Sequence, residues 1–264
     1  MTKKPSSEPA IEEVRIIGHS QSIVLRTYTP PLSVSKKLLP TVMYFHGGRF
    51  SRGSLDDADA TALFISRSTP AWVVSVGYSL APEHPFPAAI EDGYHALEWA
   101  YENAEAHGAD RMRIGVAGHD AGGNLATTVS AMARDRGMVE ISAQVLLAPL
   151  LDPSLTRLAF NETLDTALRV YASCYRDYLP KAMQRLHPYA APLESQRLSG
   201  LPPALIVTSD VDQLHIEAEK YASLLIAAGV PTEFTRQPNI SHEAIASFLP
   251  VLNDITAFFQ KRLI

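Results

Sequence analysis

The chain has 264 residues, 46% hydrophobic and 19% charged, with a net charge of −5. That length and composition predict a globular protein with a large buried core and exclude a disordered one. The negative balance and scattered Lys and Arg exclude the basic face that nucleic-acid binding needs. The single cysteine, Cys174, rules out an intrachain disulfide, and "MTKKPSSEPAIEE" has no apolar run behind its lysines, unlike a secretory signal. The longest apolar stretch, "VLLAPLL" (145–151), is too short to span a bilayer. A cytoplasmic protein without a membrane partner is expected.

Residues 1–12 are polar and predicted to be loose. "VRIIGH" (14–19) and "SIVLRTY" (22–28) read as two strands joined by a short turn, and "TVMYFH" (41–46) as a buried strand ending at Gly47 and Gly48. A helix over 56–68 starts on an acidic turn, and "AWVVSVGY" (71–78) is a β-branched strand. A long amphipathic helix over 87–108 has Pro87 near its start and Gly108 at its end. Strand 112–118, helix 122–137, strand 143–149, strand 203–209, helix 215–229, strand 232–237 and helix 243–263 follow, the last predicted to kink at Pro250. Strands alternating with helices from residue 41 onward demand a mostly parallel sheet of about eight strands, covered on both faces: one α/β domain over 1–264. Residues 152–200 break the alternation with several prolines and four tyrosines, and are expected to form a small cap over the C-terminal edge of the sheet, with 1–12 able to contribute.

Three stretches carry chemistry. "GVAGHDAGGNLA" (115–126) has a strand, a Gly-bounded turn and a helix around Asp120, the outline of a nucleophile elbow with aspartate at its centre; the Ala121 N–H would sit at the helix N-terminus. "HGGR" (46–49) follows a central strand and can aim backbone N–H groups into a cavity, although a plain turn is the simpler account taken alone. Asp212 and His242 each follow a late strand, in the order nucleophile, acid, base; each could also merely cap a helix. The other histidines show no metal-binding spacing, so neither metal nor cofactor is expected.

With these stretches in place, the chain resembles the hormone-sensitive-lipase-like branch of the α/β-hydrolase fold, the bacterial carboxylesterases. The resemblance rests on "YFHGGRFSRGS" (44–54), "LAPEHPFPAAIEDGYHALEW" (80–99), "VAGHDAGGNLA" (116–126), "LSGLPPALIVTSDVDQL" (198–214) and "AGVPTEFTRQPNISH" (228–242). It implies Asp212 as the triad acid, His242 as the base, and backbone donors at Gly48, Arg49 and Ala121 for an oxyanion hole that Gly47 shapes. Asp120 stands where the family pattern has serine, Arg49 where it has a third glycine, and the N-terminal segment is short for the family.

An elbow aspartate is similar to that of the epoxide hydrolases and haloalkane dehalogenases. Carboxylate attack on an ester carbonyl would give a high-energy anhydride, whereas attack on saturated carbon gives an alkyl ester that His242-activated water can split. The expectation is therefore a hydrolase of a small, largely apolar epoxide or alkyl halide with Asp120 as nucleophile. Two alternatives stay open: a carboxylesterase in which His242 or Asp120 activates water, and an inactive ligand-binding homologue. Tyr171, Tyr175 and Tyr178 could supply a lid acid, but their spacing fits one packed helix face at least as well. Arg49 could hold an anion or point to solvent. Two carboxylates beside one histidine should raise its pKa, so hydrolysis should climb toward alkaline pH. A small-molecule substrate is the expected partner, and a homodimer is compatible with the chain.

Overall fold

The computed structural model describes residues 8–31, 37–155 and 164–264. Its strands are β1 (Ala10–Ile17), β2 (Ser22–Thr29), β3 (Leu39–Phe45), β4 (Trp72–Gly77), β5 (Ala109–His119), β6 (Ala143–Leu147), β7 (Ala204–Ser209) and β8 (Thr232–Gln237). They form one sheet in the order β1-β2-β4-β3-β5-β6-β7-β8, antiparallel at β1–β2 and β2–β4 and parallel from β4 onward. The expected alternation thus gives the expected sheet, with β3 and β5 at its centre.

Side chains alternate across each strand, so the sheet feeds two cores. Met43, Phe45, Val74 and Val76 pack on one face with Leu97 of α2 (Ala88–Asn103), Val129 of α3 (Ala121–Arg136) and Leu225 of α5 (His215–Ala227). Val42, Tyr44, Val73 and Val145 pack on the other with Ile65 of α1 (Leu55–Ser68) and Phe259 of α6 (Leu249–Leu263). Each such side chain contributes about 1.5–3 kcal/mol through removal from water. The remaining helix, α4 (Leu164–Tyr178), lies within the 152–200 stretch. Residues 156–163 of that stretch and 1–7 of the N-terminal one lie outside the described residues.

Two details differ from the sequence expectation. β1 begins at Ala10, within the stretch expected to be loose, because Ala10 to Glu13 pair with Thr29 to Arg26 of β2. Their side chains are exposed, so the strand rests on backbone pairing and leaves little hydrophobic pattern to read. The last helix is not kinked at Pro250: it begins at Leu249, preceded by a 3-10 turn at Ile245–Ser247. A first-turn proline loses no intrahelical hydrogen bond, so Pro250 starts the helix.

Candidate active site

The C-terminal ends of β3, β5, β7 and β8 place the four functional loops on one edge of the sheet. At the end of β5, Asp120 has φ 56° and ψ −117°, a costly conformation for a side-chain-bearing residue. The fold fixes it through the Asp120 N–H donating to the Leu147 carbonyl at 2.9 Å, and through the Asp120 carbonyl accepting from Gly123 at 3.0 Å. The turn needs Gly122 because a Cβ there would lie 2.1 Å from the Phe45 carbonyl oxygen. This is the strand–turn–helix geometry expected around Asp120, and the residue is 2% exposed.

Asp120 Oδ2 accepts hydrogen bonds from the backbone N–H of Gly48 at 2.9 Å and of Arg49 at 2.7 Å. The two expected hole donors therefore converge on the elbow's own carboxylate. Gly47 sits one residue earlier, and a Cβ there would lie 2.7 Å from Nδ1 of His119. Ala121 is buried at the first position of α3 and is not among the donors to this carboxylate. Asp120 Oδ1 faces Nε2 of His242 at 3.5 Å, and neither atom has a hydrogen-bond partner.

His242 donates through Nδ1 to Oδ2 of Asp212 at 2.7 Å. The other Asp212 oxygen, Oδ1, accepts from the Leu214 N–H at 3.0 Å, so this carboxylate both orients the imidazole and closes the turn that leads into α5. Asp210 accepts from the Asn239 N–H at 2.7 Å and ties the loop that carries His242. Burial pulls the His242 pKa down, but the carboxylates of Asp120 and Asp212 outweigh it and lift the value to about 10. Burial pushes Asp120 up, yet His242, His119 and the Gly48 N–H hold it well below the ordinary carboxylate range. The pair is thus an imidazolium clasped between two carboxylates, as two anions beside one histidine require.

A cavity of about 450 Å³ opens beside the elbow, lined among others by Arg49, Arg52, Asp57, Thr61, Asp120 and His242. Among the described residues, none of 152–200 lines it. Of the three α4 tyrosines, Tyr175 and Tyr178 pack on Phe50, which stacks on Tyr178 at 3.8 Å, and their hydroxyls have no hydrogen-bond partner. Tyr171 lies beneath the Arg49 guanidinium, 5.3 Å from ring centroid to Cζ. Arg49 does not point to solvent, since it also pairs with Glu243 at 3.4 Å.

Sequence reasoning missed His119 and Glu243. His119 Nε2 donates to the His242 carbonyl at 2.9 Å, and burial together with neighbouring His242 lowers its pKa to about 4. It is therefore neutral and props the His242 loop. Its position beside Asp120 was the available signal, but a one-residue neighbour on a strand normally points to the opposite face. Glu243 next to His242 gave no signal.

The profile of a family described as alpha/beta hydrolase fold matches residues 42–246. The chain belongs to this family. It is 39% identical over 243 residues to the carboxylesterase NlhH of Mycobacterium tuberculosis, covering 89% of this chain and 75% of that one. A hyperthermophilic esterase from Pyrobaculum calidifontis superposes with a TM-score of 0.88 at 35% identity, over 96% of this hydrolase and 87% of that chain. EstE1, a thermostable carboxylesterase from a metagenomic library, gives 0.89 at 35% identity over 98% and 92%. The protein is a hydrolase of the α/β-hydrolase fold, and these three relatives are named esterases or carboxylesterases. The epoxide or halide expectation finds no support among those names, and the carboxylesterase alternative fits them better. No helix among the described residues is long and apolar enough to cross a membrane.

Proposed function

We propose that this hydrolase cleaves esters of small carboxylic acids with water activated by His242. The observation that carries the reading is the His242 ring, anchored at Nδ1 by Asp212 with Nε2 free toward the cavity beside Asp120. The relatives' names support the ester class. Neutral imidazole takes the proton of water, Asp212 stabilises the resulting imidazolium, and Asp120 Oδ1 holds the water against Nε2. The N–H groups of Gly48 and Arg49 stabilise the tetrahedral oxyanion, for which the ester carbonyl must first displace Asp120 Oδ2. Competition for the hole and the protonated resting histidine both make turnover slow at neutral pH. The 152–200 segment acts as a cap that steadies the hole loop through Phe50 and Tyr178.

One observation favours a second reading. With Oδ2 in the hole and Oδ1 unpartnered, Asp120 is arranged as a nucleophile toward saturated carbon would be: Oδ1 attacks, and Oδ2 becomes the ester carbonyl oxygen that the hole stabilises when water splits the alkyl ester. Single turnover in heavy-oxygen water separates the two. In the ester reading, an ester substrate is hydrolysed and the peptide carrying Asp120 stays unlabelled. Label in that peptide during turnover of an epoxide or alkyl halide, with no ester cleavage, overturns it in favour of the nucleophile.

A further inference from the structure

Resting on the ester-cleaving reading, we infer that Arg49 and Arg52 form an anion subsite that selects esters bearing a second, free carboxylate. Both arginines line the cavity that holds Asp120. They are presented by one tight turn, in which the N–H groups of Ser51 and Arg52 both donate to the Gly48 carbonyl. Arg49 and Phe50 have φ 53° and 64°, and the buried Phe50 ring stacked on Tyr178 fixes the turn. The Arg49 side chain is thereby aimed by packing underneath it.

The cations at this wall are under-used. Arg49 Nε is buried without a hydrogen-bond partner, a donor left short inside a binding cavity. Its one carboxylate partner, Glu243, lies at 3.4 Å on a side chain that is 73% exposed, a pair weak enough for a ligand to displace. Arg52 is exposed and, among the described residues, has no ion-pair partner. Asp57 in the same wall accepts from the Ser54 hydroxyl. Even with Glu243 turned away from Arg49, the carboxylates Asp57, Asp120, Asp212 and Glu243 outnumber the cations around the cavity, so an entering anion is held by direct contact with the two guanidiniums and not by the net field. A planar guanidinium matches a carboxylate in shape and donor geometry. The substrate class this selects is the half-ester of a small dicarboxylic acid: its ester end lies at Asp120 and His242, its free carboxylate at the arginines.

Binding tests this without turnover. Calorimetric titration at pH 6, where His242 is protonated, compares monomethyl glutarate with dimethyl glutarate on the wild-type protein, Arg49→Met and Arg52→Met. The wild type should bind the half-ester more tightly by about 10-fold or more, the scale of a charge-assisted hydrogen bond. Each substitution should shrink that ratio, and added salt should do the same. Arg52→Met changes an exposed side chain and leaves the turn intact, so a folding defect in Arg49→Met does not spoil the test. Equal binding of the two esters by the wild type, or a preference that survives both substitutions, overturns the inference. Selective binding of a half-ester that is never hydrolysed would sink the ester-cleaving reading and leave the subsite standing; hydrolysis of both esters with equal affinity would do the reverse.

Discussion

Asp120 at the elbow and Glu217 on α5 are both buried carboxyls, and each accepts two backbone N–H groups. Gly48 and Arg49 donate to Asp120 at 2.9 and 2.7 Å; Leu151 and Asp152 donate to Glu217 at 2.8 and 3.0 Å. Their ionisation nevertheless differs. Asp120 is held well below the usual carboxylate range, whereas burial, aided by the nearby Asp152 and Asp212, pushes Glu217 up to about 8. Two backbone hydrogen bonds do not by themselves offset burial; the cation does. Asp120 is ionised because His242 faces it, and His242 is an imidazolium because Asp120 and Asp212 flank it. The elbow is one coupled unit, while Glu217 is a neutral carboxyl that ties the start of the 152–200 segment to α5.

The largest test of this contrast is Asp120→Ser. It removes one of the two anions beside His242, empties the hole of a carboxylate and supplies a hydroxyl nucleophile. Ester hydrolysis at pH 7.5, followed as kcat/KM on p-nitrophenyl acetate, should rise on the order of 10³-fold. No gain would mean that Asp212, His242 and the hole loop are not the working parts of an esterase.

His242→Gln breaks the pair from the other side. It leaves a buried carboxylate without its cation and should destabilise the protein by about 3–5 kcal/mol at pH 8. In the wild type the depressed Asp120 pKa contributes stability above its unfolded value, lost as pH falls toward the folded one. In His242→Gln burial raises the folded pKa, so stability is present at low pH and lost on going up. The raised His242 pKa of the wild type also gives stability that is full below about 6.5 and declines toward 10, so the comparison is made between variants. His242→Gln should lose more stability from pH 4.5 to pH 8 than the double variant Asp120→Asn/His242→Gln, and equal losses in chemical denaturation would point to lost packing instead.

Glu217→Gln should have the smallest effect. The raised pKa means that wild-type stability is full below the unfolded value near 4.3 and declines as pH rises toward 8. Glutamine keeps a carbonyl oxygen for Leu151 and Asp152 and cannot ionise. It should fall below the wild type by about 1 kcal/mol at pH 4, where its amide lacks a partner, and exceed it by about 1–2 kcal/mol at pH 8, where the wild-type carboxyl ionises. Destabilisation that is independent of pH would show that Glu217 is ionised in the folded protein.

The same contrast explains what the sequence revealed. Strands that are buried apolar runs, such as β3, β4 and β7, were legible because burial dictates their composition. The turn at Asp120 was legible because its backbone geometry restricts residue type, Gly122 being required by the Phe45 carbonyl; Asp212 and His242 were read from their order after two late strands, and the fold brings both beside Asp120. The start of β1, Ala10 to Glu13, was not legible, since backbone pairing leaves no side-chain signature. Nor was the placement of the Asp120 carboxylate in the hole, which depends on which oxygen turns toward Gly48 and Arg49. His119 and the Arg49–Tyr171 contact escaped for the same reason: each joins segments far apart in the chain. The α4 tyrosines were read both ways, and Tyr175 and Tyr178 lie on the packed face while Tyr171 alone reaches Arg49.

The coupled imidazolium is tested most directly by following the His242 ring nitrogens by NMR while ester hydrolysis is measured on the same samples from pH 6 to 10.5. Neutral imidazole should appear with a midpoint near 10, and kcat/KM should rise about tenfold per pH unit below it. In Asp120→Ser both curves should move to lower pH together. A His242 midpoint near the ordinary value of about 6.5, or hydrolysis that is flat while the ring titrates, would contradict the account.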